Sequence, residues 1–159
     1  MNNKIVVFIS GRGSNAKNII NYFSNNSDFH VSHVFSNNKH SDFANHIKNT
    51  NVQYFLFEEA EINGKVFREL KKINPKLIIL AGFLKKIPPL YINFFENKII
   101  NIHPSLLPKY GGEGMYGLNI HKKIIENKEV ETGISIHYVS EEYDSGKIIF
   151  QKKIKVDKY

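Results

Sequence analysis

The sequence predicts an α/β fold: an open, mostly parallel, twisted sheet with helices on both faces and a last strand running antiparallel at an edge. Short, continuous apolar runs recur along the 159 residues, and segments with helical spacing separate them. That alternation is the mark of βαβ units, whose strands are buried on both faces and read as unbroken apolar stretches. The exception is the turn 141–146, which is too short for a crossover helix and so implies an antiparallel neighbour for the strand after it.

The elements follow in order. Lys4-Ile-Val-Val-Phe-Ile9 is a central parallel strand, and it feeds Ser10-Gly-Arg-Gly-Ser-Asn15 and a helix carrying Ile19, Ile20 and Phe23. A second strand spans 29–35, a turn Ser36-Asn37-Asn38, and a helix runs near 41–48. Val52 to Leu56 is a third strand. A helical region from Glu58 is interrupted at Asn63-Gly64 and resumes over 65–73, with Val66, Phe67, Leu70 and Ile73 as its apolar stripe, before Asn74-Pro75 stops it. Leu77 to Ala81 is the most clearly buried strand. It delivers the loop 82–87, and Pro88-Pro89 opens a short helix through Tyr91, Phe94 and Phe95. A fifth strand begins in Lys98-Ile-Ile-Asn-Ile-His103 and Pro104 ends it. A loop with four glycines between 111 and 117 follows, suited to closing over a substrate, and then a helix over 118–126. Strands over 132–140 and 147–156 complete the chain, the second with a lysine-rich outer face, and His137 faces opposite to Ile134 and Ile136.

Composition narrows the function. The formal charge of +7 comes from 22 Lys and Arg against 15 Asp and Glu, spread along the chain with no long basic run and only two arginines, Arg12 and Arg68. Arginine is the usual bidentate reader of phosphates and bases, so this surface suits anionic small molecules, and no nucleic acid is expected as a partner. There is no cysteine and no apolar run of membrane-spanning length. The expectation is a cytoplasmic protein with neither disulfides nor thiolate chemistry, no signal peptide and no membrane partner. His30, His33, His40 and His46 lack metal-ligand spacing, and no metal is expected.

Chemistry concentrates where strands end, because ligands of open α/β sheets sit at the carboxyl edge. Asn101 and His103 share a strand face and emerge together before Pro104. Gly11, Arg12, Gly13, Ser14 and Asn15 lie between a strand and a helix N-terminus, the position of an anion cradle, with Ser14 or Asn15 able to cap. Asp144 sits in an acidic glycine turn. No serine elbow or P-loop lysine is present, which leaves direct transfer: an amide polarises a carbonyl, an imidazole moves a proton and a carboxylate orients the imidazole. A hydrogen-bonded strand end and an ordinary βα turn remain alternative readings of the first two features.

Asn101-Ile-His-Pro-Ser-Leu-Leu-Pro108, with Ala81-Gly-Phe83 before it and Thr132-Gly-Ile-Ser-Ile-His137 and Asp144-Ser-Gly146 after it, resembles the folate-dependent formyltransferases. Gly11-Arg-Gly-Ser-Asn15 and the short length are similar to the branch that formylates glycinamide ribonucleotide in purine synthesis. The resemblance implies a Rossmann-like formyltransferase fold and direct attack of an amine on 10-formyltetrahydrofolate, which serves as co-substrate. It implies catalytic roles for Asn101 (donor to the formyl oxygen), His103 (proton transfer) and Asp144 (holding His103). It implies phosphate binding by residues 11–15 and folate binding by Leu84, Lys85, Lys86 and Ile87 and by Ser140, Glu141, Glu142 and Tyr143, with Lys85 and Lys86 suited to the glutamate tail. His121 and His137 match family histidines and take support roles. The family occurs as monomers and homodimers. Its members carry a helical segment beyond a strand like 150–156, so 1–159 is expected to be a single formyltransferase domain without that tail. A non-catalytic folate or nucleotide binder of the same fold, and a formyltransferase acting on another amine, are the alternatives.

Overall fold

The computed structural model describes residues 3–157, and the chain divides into two compact units, Met1–Ile99 and Ile100–Tyr159. The first unit is built on β1 (Lys4–Ile9), α1 (Ser14–Phe23), β2 (His30–Ser36), α2 (Phe43–Ile47), β3 (Gln53–Leu56), α3 (Phe67–Ile73), β4 (Leu77–Leu80) and α4 (Pro89–Phe94). Its strands lie in the order β3-β2-β1-β4, and each adjacent pair is parallel. Val6, Val7, Phe8 and Ile9 of the central strand are inaccessible to solvent. Phe8 stacks on Phe35 at 5.1 Å between centroids and takes Phe83 edge-on at 5.3 Å. These rings bury much apolar area at the carboxyl end of the strands and so fix the loops that leave it.

The strand order assigns the helices to faces. The chain steps outward from β1 to β2 to β3 and then returns past β1 to β4. Right-handed crossovers therefore put α1 and α2 on one face and α3 on the other. The fold is of the expected class, an α/β, mostly parallel architecture with helices on both faces. The reversal lies between β1 and β4, the switch point where a crevice opens beyond the carboxyl ends. One local expectation is revised. Asn63-Gly64 does not break the helical region: a 3-10 turn (Glu59–Glu61) runs into a wide π turn (Ile62–Val66) and on into α3. The Tyr91 hydroxyl donates to the Ile62 carbonyl within it. A π turn absorbs such an irregularity without ending the helix.

The second unit carries the end of β5 (Ile99–His103), α5 (Leu118–Glu126), β6 (Glu131–Tyr138) and β7 (Ile148–Lys155). As expected, β7 pairs antiparallel with its neighbour and ends the strand order. The first antiparallel pairing comes one strand earlier, between β5 and β6. His137 is buried and Ile134 exposed, the alternation predicted for this strand. Gly146 is fixed by close approach: a Cβ there would lie 1.8 Å from the Tyr138 carbonyl oxygen, so the turn carrying Asp144 closes only on glycine.

Candidate active site

The antiparallel register between β5 and β6 sets Asn101 opposite His137 and His103 opposite Ser135. Directly opposed residues bring their side chains into contact range. The Asn101 amide nitrogen Nδ2 lies 3.1 Å from His137 Nε2 and donates to Asp144 Oδ1 at 3.3 Å. That same oxygen is 3.4 Å from His103 Nδ1 and 3.5 Å from His137 Nε2. The three residues expected to be catalytic are therefore gathered around one carboxylate oxygen, with His137 as a fourth member. The other oxygen, Oδ2, accepts the Gly112 N–H at 2.9 Å.

Hydrogen bonding defines the imidazole states. His137 Nδ1 stands 2.8 Å from the Tyr138 carbonyl, which accepts only, so Nδ1 carries a proton. Nε2 is then the acceptor for Asn101 when the ring is neutral and a donor to Asp144 when it is charged. His103 Nε2 donates to the Tyr110 carbonyl at 2.7 Å, while Nδ1 faces Asp144. Both of its nitrogens meet oxygen acceptors, an arrangement that an imidazolium satisfies at both ends. His103 is 3% exposed and His137 is 2% exposed, so water competes little for these bonds. Burial pushes the Asp144 carboxyl up, but hydrogen bonds from His137 and the Gly112 amide and the charge of the two imidazoles pull harder, leaving it below the usual aspartate range.

Asp144 has φ 53, in the left-handed region, a conformation that a short polar side chain tolerates better than most. The turn around it is held from within. Ser140 and Ser145 hydroxyls meet at 3.0 Å and converge on the Glu142 carbonyl. Glu141 and Glu142 are exposed, and Tyr143 is 38% exposed. His121 is exposed on α5 and has no hydrogen bond or ion pair to the network among the described residues. Sequence reasoning did not single out Tyr110 and Gly112, because both act through backbone atoms that carry no side-chain signature. The first half of the glycine-rich loop, read as a mobile cover, is tied to His103 and Asp144 at these two points.

The residues expected to cradle the phosphate (11–15) and the expected folate residues 84–87 belong to the first unit, at the β1/β4 switch point. Ser10 joins them: its N–H donates to the Gly82 carbonyl at 3.0 Å and its hydroxyl accepts the Leu84 N–H at 2.9 Å. Gly11, Arg12, Ser14 and Asn15 are exposed, while Gly13 is buried. The cap of α1 is Gly13 itself at φ 73, with no side-chain cap bond. The expectation that Ser14 or Asn15 caps is therefore corrected. The left-handed turn at Gly13 starts the helix at Ser14, and a Cβ at residue 13 would fall 2.4 Å from a Phe43 ring carbon. In the loop that follows Gly82, Leu84 is exposed, Ile87 is buried, and Lys85 pairs with Glu59 at 2.7 Å. Among the described residues, no group of three or more His, Asp or Glu is placed to hold a metal ion, and no helix is long and apolar enough to cross a membrane.

The formyl transferase family model matches residues 3–159. Phosphoribosylglycinamide formyltransferase of Escherichia coli is 33% identical over 96% of this chain and 73% of its own length. The chloroplastic phosphoribosylglycinamide formyltransferase of Vigna unguiculata is 37% identical over 96% of this chain, which spans 51% of that protein. Among solved structures, phosphoribosylglycinamide formyltransferase from Anaplasma phagocytophilum superimposes with a TM-score of 0.86 at 31% identity, covering 98% of this chain and 73% of that one. The chain thus spans about half the length of the plant relatives and about three quarters of the bacterial ones. With the Asn101, His103 and Asp144 network in place and the match running almost end to end, the chain belongs to the formyl transferase family.

Proposed function

We propose that this chain transfers the formyl group of 10-formyltetrahydrofolate to the amine of 5'-phosphoribosylglycinamide; its Escherichia coli, plant and Anaplasma relatives are named phosphoribosylglycinamide formyltransferases. The observation that carries the reading is the convergence of Asn101, His103 and His137 on Asp144 Oδ1, each within 3.3–3.5 Å. In the reaction the amine nitrogen attacks the formyl carbon and forms the new C–N bond, while negative charge builds on the formyl oxygen. Collapse breaks the bond to the folate N10, which takes up a proton as the attacking nitrogen gives one up.

Each residue has a task in that sequence. Asn101 offers an amide N–H to the developing oxyanion, and its bond to Asp144, the longer of its two, is the one an incoming oxygen replaces. His103, buried with an acceptor facing each nitrogen, assists the proton transfer and stabilises the intermediate, its two acceptors satisfying the imidazolium when it forms. Asp144, kept ionised by its partners, makes the charged imidazole favourable. At the switch point, the uncapped N–H groups of α1 and the Arg12 guanidinium suit the ribonucleotide phosphate, and the backbone of residues 84–87 suits the pterin. Residues 140–143 would flank the folate, and Lys85 and Lys86 its glutamate tail. The reading takes 1–159 as one formyltransferase domain acting in the cytoplasm on anionic small molecules, as a monomer or homodimer and with no nucleic-acid or membrane partner.

The test is a formyl-transfer assay with purified protein, 10-formyl-dideazafolate and glycinamide ribonucleotide, run beside Asn101→Ala and His103→Ala. Turnover by the parent and its collapse in both folded variants is the expected result. A folded parent that binds the folate analogue without turnover would establish the non-catalytic reading instead.

A further inference from the structure

The polar contacts of the second unit continue past His103 to a group outside the family motif. His103 Nε2 donates to the Tyr110 carbonyl at 2.7 Å, shorter than any other contact of the four-residue network. Tyr110 presents that carbonyl from a left-handed backbone, φ 57. An aromatic residue adopts this conformation rarely, and it persists only where the surroundings hold it. The flanking backbone is held by Ser105, whose hydroxyl donates to the Lys109 carbonyl at 2.7 Å, and by the Gly112 N–H bonded to Asp144; the side chain holds residue 110 itself. Tyr110 donates its hydroxyl to Glu129 Oε1 at 2.9 Å and accepts from Asn127 Nδ2 at 2.8 Å. Glu129 also takes the Lys109 ammonium through both carboxylate oxygens, at 2.9 and 3.2 Å. Neighbouring residues 109 and 110 are thus clamped by one carboxylate just beyond the end of α5. Hydrogen bonds from Lys109 and Tyr110 keep that carboxylate ionised, below the usual glutamate range.

We infer that Glu129 is a positioning residue for the active site: by anchoring Tyr110 it fixes the backbone carbonyl that orients His103 toward Asp144. Without the anchor, residue 110 relaxes toward an ordinary backbone conformation and the carbonyl leaves Nε2. The imidazole is then free to turn, and Nδ1 no longer faces Asp144. A ring displaced by a fraction of its contact distance loses much of its catalytic contribution. The inference rests on the formyl-transfer reading for its effect on turnover, but its structural half concerns His103 alone.

The experiment therefore has two readouts, imidazole 15N NMR of His103 (assigned with His103→Asn) and formyl-transfer kinetics. They are applied to Tyr110→Phe, Glu129→Ala, Glu129→Gln and Lys109→Met. In the parent, the His103 Nε2 proton should exchange slowly with solvent. Tyr110→Phe and Glu129→Ala should each accelerate that exchange about tenfold, as expected for losing the bonds that hold Tyr110. The same variants should lower kcat by about tenfold and move KM by less than about threefold, the pattern of an interaction felt in the transition state. Glu129→Gln keeps an acceptor for the Tyr110 hydroxyl and should stay within about threefold of the parent in both readouts. Lys109→Met removes the ion pair alone and should leave the His103 signals unchanged. Unaltered His103 exchange in folded Tyr110→Phe and Glu129→Ala would overturn the inference. So would a Lys109→Met protein as impaired as Tyr110→Phe. Should Glu129→Ala fail to fold, Tyr110→Phe and Glu129→Gln decide the matter. A parent without turnover would refute the formyl-transfer reading, and the exchange data would still test the link from Glu129 to His103.

Discussion

Asp144→Asn is the substitution that most directly tests how this site works. Asn keeps the size of the side chain and tolerates φ 53, so the turn is preserved where alanine would be strained. The amide cannot, however, satisfy both sides of the site. Gly112 N–H requires an oxygen at the Oδ2 position, which turns the new NH2 toward Asn101 Nδ2, His103 Nδ1 and His137 Nε2 at 3.3, 3.4 and 3.5 Å. An acceptor shared by three nitrogens becomes a donor, and the negative charge opposite an imidazolium is gone. A charge-assisted hydrogen bond contributes about 1.5–3 kcal/mol, and a close charge pair near a protein surface contributes about 4 kcal/mol. Because the contacts overlap, their sum is not additive, and a loss of about 3–5 kcal/mol in transition-state stabilisation is the expected size. That corresponds to a fall in kcat of roughly 10²–10⁴-fold, with KM for glycinamide ribonucleotide nearly unchanged. Steady-state formyl-transfer kinetics measure both, and circular dichroism verifies the fold. A folded variant with kcat within about threefold of the parent would show that Asp144 does not set the state of the imidazoles.

Three further outcomes follow from the same contacts. Gly13→Ala forces a Cβ against the Phe43 ring at a left-handed φ of 73; urea denaturation should show a loss of about 2–4 kcal/mol, and an unchanged midpoint would contradict the packing described. Ser10→Ala removes the acceptor of the Leu84 N–H; KM for the folate should rise about three- to tenfold with kcat held, a shift that kinetics against varied folate analogue would reveal. For acid stability, the folded Asp144 carboxyl titrates below its unfolded value, so its ionised form favours folding. The contribution is complete above the ordinary aspartate range near about pH 4 and is lost as pH falls through the lower folded value. Thermal melts between pH 6 and pH 2 should thus decline less steeply for Asp144→Asn than for the parent, and parallel curves would contradict the shift.

Much of this was legible in the chain because burial patterns carry it. Unbroken apolar runs such as Lys4–Ile9 and Leu77–Leu80 marked the strands, and the capping Pro88-Pro89 marked the helix that follows. Asn101 and His103 share a strand face, so their convergence was readable from the period of two. Less visible was the role of the partner strand. His137 enters the network because β6 runs antiparallel to β5 in a register that opposes it to Asn101, and register depends on pairing that no single segment encodes. The continuous helical region across Asn63-Gly64 was hidden for a similar reason: the Tyr91 hydroxyl that bonds the Ile62 carbonyl lies on a different element.

The backbone partners of the network explain why its side chains needed so little sequence to specify them. Three residues on a strand end and a turn would be free to rotate if each were held only by the others. Here Tyr138 fixes the tautomer of His137, Tyr110 fixes the ring of His103, and Gly112 fixes the second oxygen of Asp144. All three anchors are main-chain groups, and they constrain the site without presenting a competing side chain to a substrate. Their positions depend on two features: the glycine at 146, which allows the Asp144 turn to close against Tyr138, and the Glu129 clamp on Tyr110. Preorganisation of this kind lets a small set of polar groups meet a developing charge with little reorganisation at the moment of reaction. The geometry of this candidate site is accordingly a property of the β5–β6 register and the loop backbone as much as of Asn101, His103 and Asp144.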